Sequence, residues 1–115
     1  MYQFSYAEVL DENPVERRRS EREAVERSIA MLRIAEQAGV RSRETVEALS
    51  FLRQLWMFFL QELAQDSNEL PKELRAKLIS IGLWLLREAE DIRNEKSANF
   101  AGLIEISTMI SEGLQ

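Results

Sequence analysis

Apolar residues recur at helical spacing in four stretches of the chain, and polar residues fill the positions between them. Val25, Ile29 and Leu32 share one face of the first stretch, and Leu49, Leu52, Trp56, Phe59 and Leu63 share one face of the second. Leu74, Leu78, Ile81, Leu85 and Ile92 form the third seam, and Phe100, Leu103, Ser107, Ile110 and Leu114 the fourth. A stripe repeating every three to four residues is the signature of a helix that buries one side. Punctuation agrees with the stripes. Asn13 before Pro14, with Glu16 near the positive helix end and Gly39 beyond the last turn, predicts a helix over about 14–38. Ser42 is a good cap for a second helix over about 43–64, which the polar cluster Gln65-Asp66-Ser67-Asn68 ends. Pro71, with Glu73 close behind, starts a third over about 71–94. Ser97 is expected to cap a fourth over about 98–112, with Gly113 able to supply a left-handed end. Links this short favour antiparallel neighbours, so the pattern predicts an all-α, antiparallel four-helix bundle behind a short N-terminal arm, 1–12, in a single domain.

A bundle helix needs one apolar stripe, yet two of these carry a second. Phe51, Leu55 and Phe58 lie at i, i+4 and i+7 on the second helix, about 110° from its main stripe at about 100° per residue. Ile79, Leu83 and Leu86 repeat the arrangement on the third. Contact with two neighbours, together with cover from Tyr2, Phe4 and Tyr6 of the arm, is the ordinary account of such a surplus. The functional account is a groove that accepts an amphipathic helix from a partner, and a homodimer seam is a third. Trp84 falls on the polar side of the third helix among Lys77, Ser80, Arg87, Glu88 and Asp91, where it either leans half-covered over Ile81 or serves as a contact anchor. Gly82 stands inside the same helix at a cost of about 1 kcal/mol relative to alanine, which calls for close approach by one of the protein's own helices or by a partner.

Composition narrows the chemistry. The 115 residues are 45% hydrophobic and 30% charged, a globular mix with room for one core. There is neither cysteine nor histidine. That removes disulfides, thiolate nucleophiles, Cys and His metal sites and imidazole acid–base catalysis, leaving carboxylates, Lys and Tyr. No constellation joins a nucleophile, a base and a charge stabiliser, and the carboxylates lack a metal-ligand spacing, so neither catalysis nor a cofactor is expected. The N-terminus lacks the basic start and apolar run of a secretory signal, and no apolar run approaches the roughly 20 residues of a membrane span, so a cytoplasmic protein is expected. A net charge of −5 argues against nucleic-acid binding. The one basic cluster, Arg17, Arg18, Arg19 and Arg22, is diluted by Glu16, Glu21 and Glu23; it reads first as solvated surface and second as a docking element for an acidic partner.

Several separated segments together resemble the FlaF family. These are the opening Met1-Tyr2-Gln3-Phe4-Ser5-Tyr6-Ala7-Glu8-Val9-Leu10, the run Ala48-Leu49-Ser50-Phe51-Leu52-Arg53-Gln54-Leu55-Trp56, Leu70-Pro71 with Leu78-Ile79-Ser80-Ile81-Gly82-Leu83-Trp84, and Asn99-Phe100 with Gly102-Leu103-Ile104. The resemblance spans essentially the whole chain and carries no catalytic signature. It implies a small cytoplasmic regulator of flagellum biogenesis in alphaproteobacteria, needed for flagellin production and export and acting beside or against the regulator FlbT. Flagellin is the implied partner, through terminal amphipathic helices that would otherwise polymerise early. Helix geometry then nominates Phe51, Leu55, Phe58, Ile79, Leu83, Trp84 and Leu86 as contacts, on a monomer or a homodimer. The alternative is a post-transcriptional regulator acting on flagellin mRNA directly or through FlbT, with Arg17, Arg18, Arg19, Arg22, Arg41 and Arg43 as its candidate contacts.

Overall fold

The computed structural model describes residues 14–114. The arm, with Tyr2, Phe4 and Tyr6, and the Asn13 cap lie outside them. The described residues form four helices, α1 (Pro14–Ala38), α2 (Arg43–Ala64), α3 (Lys72–Arg93) and α4 (Phe100–Gly113), and no strand. It is an all-α bundle.

The turn between α1 and α2 is locked by its own polar groups. Gly39 takes φ +105°, a conformation closed to most side chains, and its N–H donates to Ala35 O at 2.8 Å. Ser42 caps α2 by accepting the Thr45 N–H at 3.1 Å, while its hydroxyl and that of Thr45 both donate to Gly39 O, at 2.7 and 2.6 Å. At the far end of α2, the Asn68 side chain donates to Glu62 O at 3.0 Å and accepts the Leu70 N–H at 3.0 Å. Arg75 then reaches back from α3 to donate to Leu63 O at 3.1 Å. Pro71 stands just before α3, not within it, and supplies no side-chain cap.

Two sequence expectations fail at α4. Ser97 does not cap it; its hydroxyl donates to Glu88 at 3.2 Å and accepts the Asn99 N–H, and Asn99 becomes the cap by accepting the Gly102 N–H at 3.0 Å. Gly113 does not take a left-handed conformation. The helix closes on a tight turn instead, Leu114 N–H to Ser111 O at 3.1 Å. The left-handed residue beyond the end of α3 is Glu95, φ +62°, whose carboxylate meets Arg41 at 2.9 Å and ties the α3–α4 connection to the α1–α2 turn.

α1 packs against α2 and α4, and α2 packs against α1 and α3, whereas α3 meets α4 only briefly. One core joins Leu32, Ala35, Ala48, Leu49, Leu52 and Trp56 to Leu85, Ala89 and Ile92 of α3 and to Phe100 and Leu103 of α4. A second, at the other end, holds Ala24, Val25, Ile29 and Leu55. The α3 seam is therefore buried only along its second half. Leu85 and Ile92 are sealed, but Leu78 and Ile81 are half-buried and Leu74 is 42% exposed, contrary to the uninterrupted core stripe that the sequence suggests. The reason is direction: α4 starts beside the end of α3 and then turns onto α1, where Ser111 reaches Glu26 at 3.4 Å.

Candidate partner-binding surface

The two surplus stripes have different fates. On α2, Leu55 is 4% exposed and sits with Ala24, Val25 and Ile29, so it belongs to the core and leaves nothing for a partner to touch. Phe51 packs half-buried on the same cluster, with the Arg27 guanidinium 5.1 Å above its ring. Phe58 is half-buried beside Phe59 at 6.1 Å, and Phe59 in turn stands edge-on to Trp56 at 5.2 Å. Phe51 and Leu55 thus face α1, Phe58 has Phe59 of its own helix beside it, and the stripe does not form an open groove with α3.

On α3 the outcome is the reverse. Leu83 is 50% exposed, with Ile79 and Leu86 half-buried on either side of it along the helix. Gly82 explains the setting. A Cβ there would lie 2.7 Å from Trp56 Cε3 and 3.0 Å from Leu60 Cδ2, so the glycine lets α2 and α3 approach closely, and the close neighbour is the protein's own helix. With Gly82 facing Trp56 in an antiparallel pair, residues one step of about 100° onward from each, Leu83 and Met57, turn to the same outer side. Met57, 43% exposed, thus extends the Leu83 face across onto α2, with half-buried Ile79, Leu60 and Leu86 at its edge, the last two also packed on the main core. Neither Met57 nor Leu60 stands out as a site residue in the sequence; superposing the wheels of α2 and α3 on the Gly82–Trp56 contact is what would have revealed them.

Trp84 lies away from this face. It is half-buried and packs on the main core, as does Ile81, so the covered reading fits it better than that of a free anchor.

Among the basic cluster, Arg17, Arg18 and Arg19 are exposed and Arg22 is half-buried. Arg19 grips both carboxylate oxygens of Glu16 at 2.6 and 2.7 Å. Arg17 and Arg18 flank half-buried Glu21. Burial pushes that carboxyl above the usual glutamate range, Arg17 draws it down, Glu62 of α2 pushes it up again, and Arg18 draws it down. The arginines thus offset a local excess of carboxylates and do not build a separate basic face.

A shallow depression between α1 and α4, about 580 Å³ in volume, is lined by residues that include Arg33, Glu36, Ile104, Glu105 and Met109. It mixes both charges and gathers no reactive set. No helix among the described residues is long and apolar enough to cross a membrane, and those residues hold no group of three or more potential metal-ligating side chains.

No curated protein and no solved structure matches the chain. The sequence of residues 2–114 does match the family described as flagellar protein FlaF, essentially end to end. With the bundle, its Gly82–Trp56 contact and its outward apolar face in place, the chain belongs to the FlaF family of flagellar proteins.

Proposed function

We propose that this flagellar protein is a cytoplasmic flagellin-binding chaperone or adaptor that acts by holding an amphipathic helix, without catalysis, and so governs flagellin synthesis and export. The observation that carries the reading is the apolar face of Met57, Leu60, Ile79, Leu83 and Leu86 on a member of a flagellar family. Burying such a face against a partner helix releases water from both, and a flagellin whose terminal helix is so occupied cannot use it to polymerise. FlbT is a second candidate partner on the same reading.

Titration of the purified protein with flagellin, and with its two terminal helices separately, tests this by calorimetry. Saturable binding by at least one terminal helix is expected. No heat and no complex in the tens-of-micromolar range overturns the proposal. Direct action on flagellin mRNA has less support, because Arg19 is tied to Glu16 and Arg17 and Arg18 are set against Glu21. Steeply salt-dependent RNA binding lost on Arg17→Ala and Arg18→Ala would reverse that preference.

A further inference from the structure

The outer face of the α2–α3 pair has a charge pattern of its own. Arg53 lies one turn before Met57 on α2, Arg87 one turn after Leu83 on α3, and Lys72 two turns before Ile79, so all three border the apolar strip. All three are exposed, and among the described residues none has a carboxylate partner, although four other cations of the chain do. Among the described residues, the acid in line with the strip on α2 and α3 is Glu90, whose carboxylate is engaged by Arg93 at 3.4 Å and Asn94 at 3.3 Å. A chain of net charge −5 thus places, among the described residues, three exposed cations without an ion pair around its exposed α3 strip.

We propose that this face docks an amphipathic helix whose apolar seam is bordered by carboxylates. Leu83 and Met57 meet the seam, and Arg53, Arg87 and Lys72 meet the acidic rim. The complementarity selects the occupant: a helix with a basic rim would set like charges against Arg53 and Arg87, and a second copy related by a twofold axis would bring this cationic rim against itself. The proposal rests on the flagellin-adaptor reading only for the identity of the protein that carries the helix.

The test uses the full-length chain and two fluorescent synthetic helices with the same leucine seam, one rimmed by Glu and one by Lys, alongside flagellin. The Glu-rimmed helix is expected to bind about tenfold or more tighter at low salt, with the advantage shrinking as salt is added. Arg53→Glu with Arg87→Glu should cancel or invert the preference, and Leu83→Asp should abolish binding of both helices while the circular dichroism spectrum stays unchanged. Equal affinity for the two helices, or binding indifferent to Leu83→Asp, overturns the proposal. So does self-association of the protein that Leu83→Asp removes, which would give the face to a second copy. If flagellin fails to bind while the Glu-rimmed helix behaves as expected, the flagellin reading falls and the docking face stands. If flagellin binds wild type and Leu83→Asp equally, the docking face falls and the flagellin reading stands.

Discussion

The stripe of Phe51, Leu55 and Phe58 on α2 and the stripe of Ile79, Leu83 and Leu86 on α3 have the same spacing, nearly the same apolar content and half-buried flanks, yet the middle leucine of one is sealed and that of the other is half in water. The difference lies in the number of neighbours. α2 is flanked along its length by α1 and α3, so each of its two stripes finds a helix to cover it. Among the described residues, α3 has α2 on one side and only a brief meeting with α4. Its surplus stripe is left half in water, and so is the first half of its main seam. An apolar periodicity states how much surface a helix wants to bury; the count of neighbours decides whether the molecule can oblige.

The sharpest way to break this comparison is to truncate one leucine from each stripe. Leu55→Ala removes a sealed side chain from between α1 and α2 and should cost about 2–5 kcal/mol in urea unfolding. Leu83→Ala on the outward strip should cost less than about 0.5 kcal/mol, because half of that side chain is already in water. Similar losses at the two sites would mean that α3 has a covered outer face after all.

Much of this was readable from the chain. Residues with a local mechanism read well: Ser42 caps through the Thr45 N–H, Gly39 needs its positive φ, and Gly82 marks a close approach. The misreadings share a physical cause, since they turn on competition between groups brought together by folding. Ser97 is as good a cap as Asn99 in isolation, but Glu88 of α3 accepts from both the Ser97 hydroxyl and the Asn99 amide, and the Ser97 oxygen is used by the Asn99 N–H, which leaves Asn99 Oδ1 to cap the helix. Leu74, Leu78 and Ile81 have the spacing of core residues, and nothing local says that α4 turns away from them onto α1. Leu55 and Leu83 differ only in what stands opposite, which no wheel of a single helix contains.

Gly82→Ala probes the contact that sets the two α3 flanks apart. Alanine gains about 1 kcal/mol of helix propensity, but its Cβ would press on the Trp56 ring at 2.7 Å. That ring is buried and already edge-on to Phe59, so it has little room to yield. Overpacking of this kind costs about 1–3 kcal/mol, so after the propensity gain a net loss of up to about 2 kcal/mol is expected in the same unfolding measurement. A stabilised variant would show that α2 and α3 are less closely applied than the glycine implies, and the outer face would lose the geometry that aligns Leu83 with Met57.

The smallest expected effect concerns charge on the covered side, where Glu21 of α1 is half-buried and repelled by Glu62 of α2, whereas the outward side carries exposed cations. The folded-state pKa of Glu21 is raised, first by burial, so the folded protein holds the Glu21 proton more tightly than the unfolded chain does. Its contribution to stability is complete below the ordinary glutamate range and is lost as pH rises through the folded value. Glu21→Gln keeps the shape without the charge, so it should raise the melting temperature by about 1–3 °C near neutral pH, and this gain should fade toward zero as the pH drops below about 4. Thermal melts of both proteins across pH 3 to 8 would show it as two curves that converge in acid. A variant less stable than wild type at neutral pH would mean that Arg17 and Arg18 outweigh burial and Glu62, and that the covered side of the bundle tolerates its carboxylate as well as the outward side tolerates its arginines.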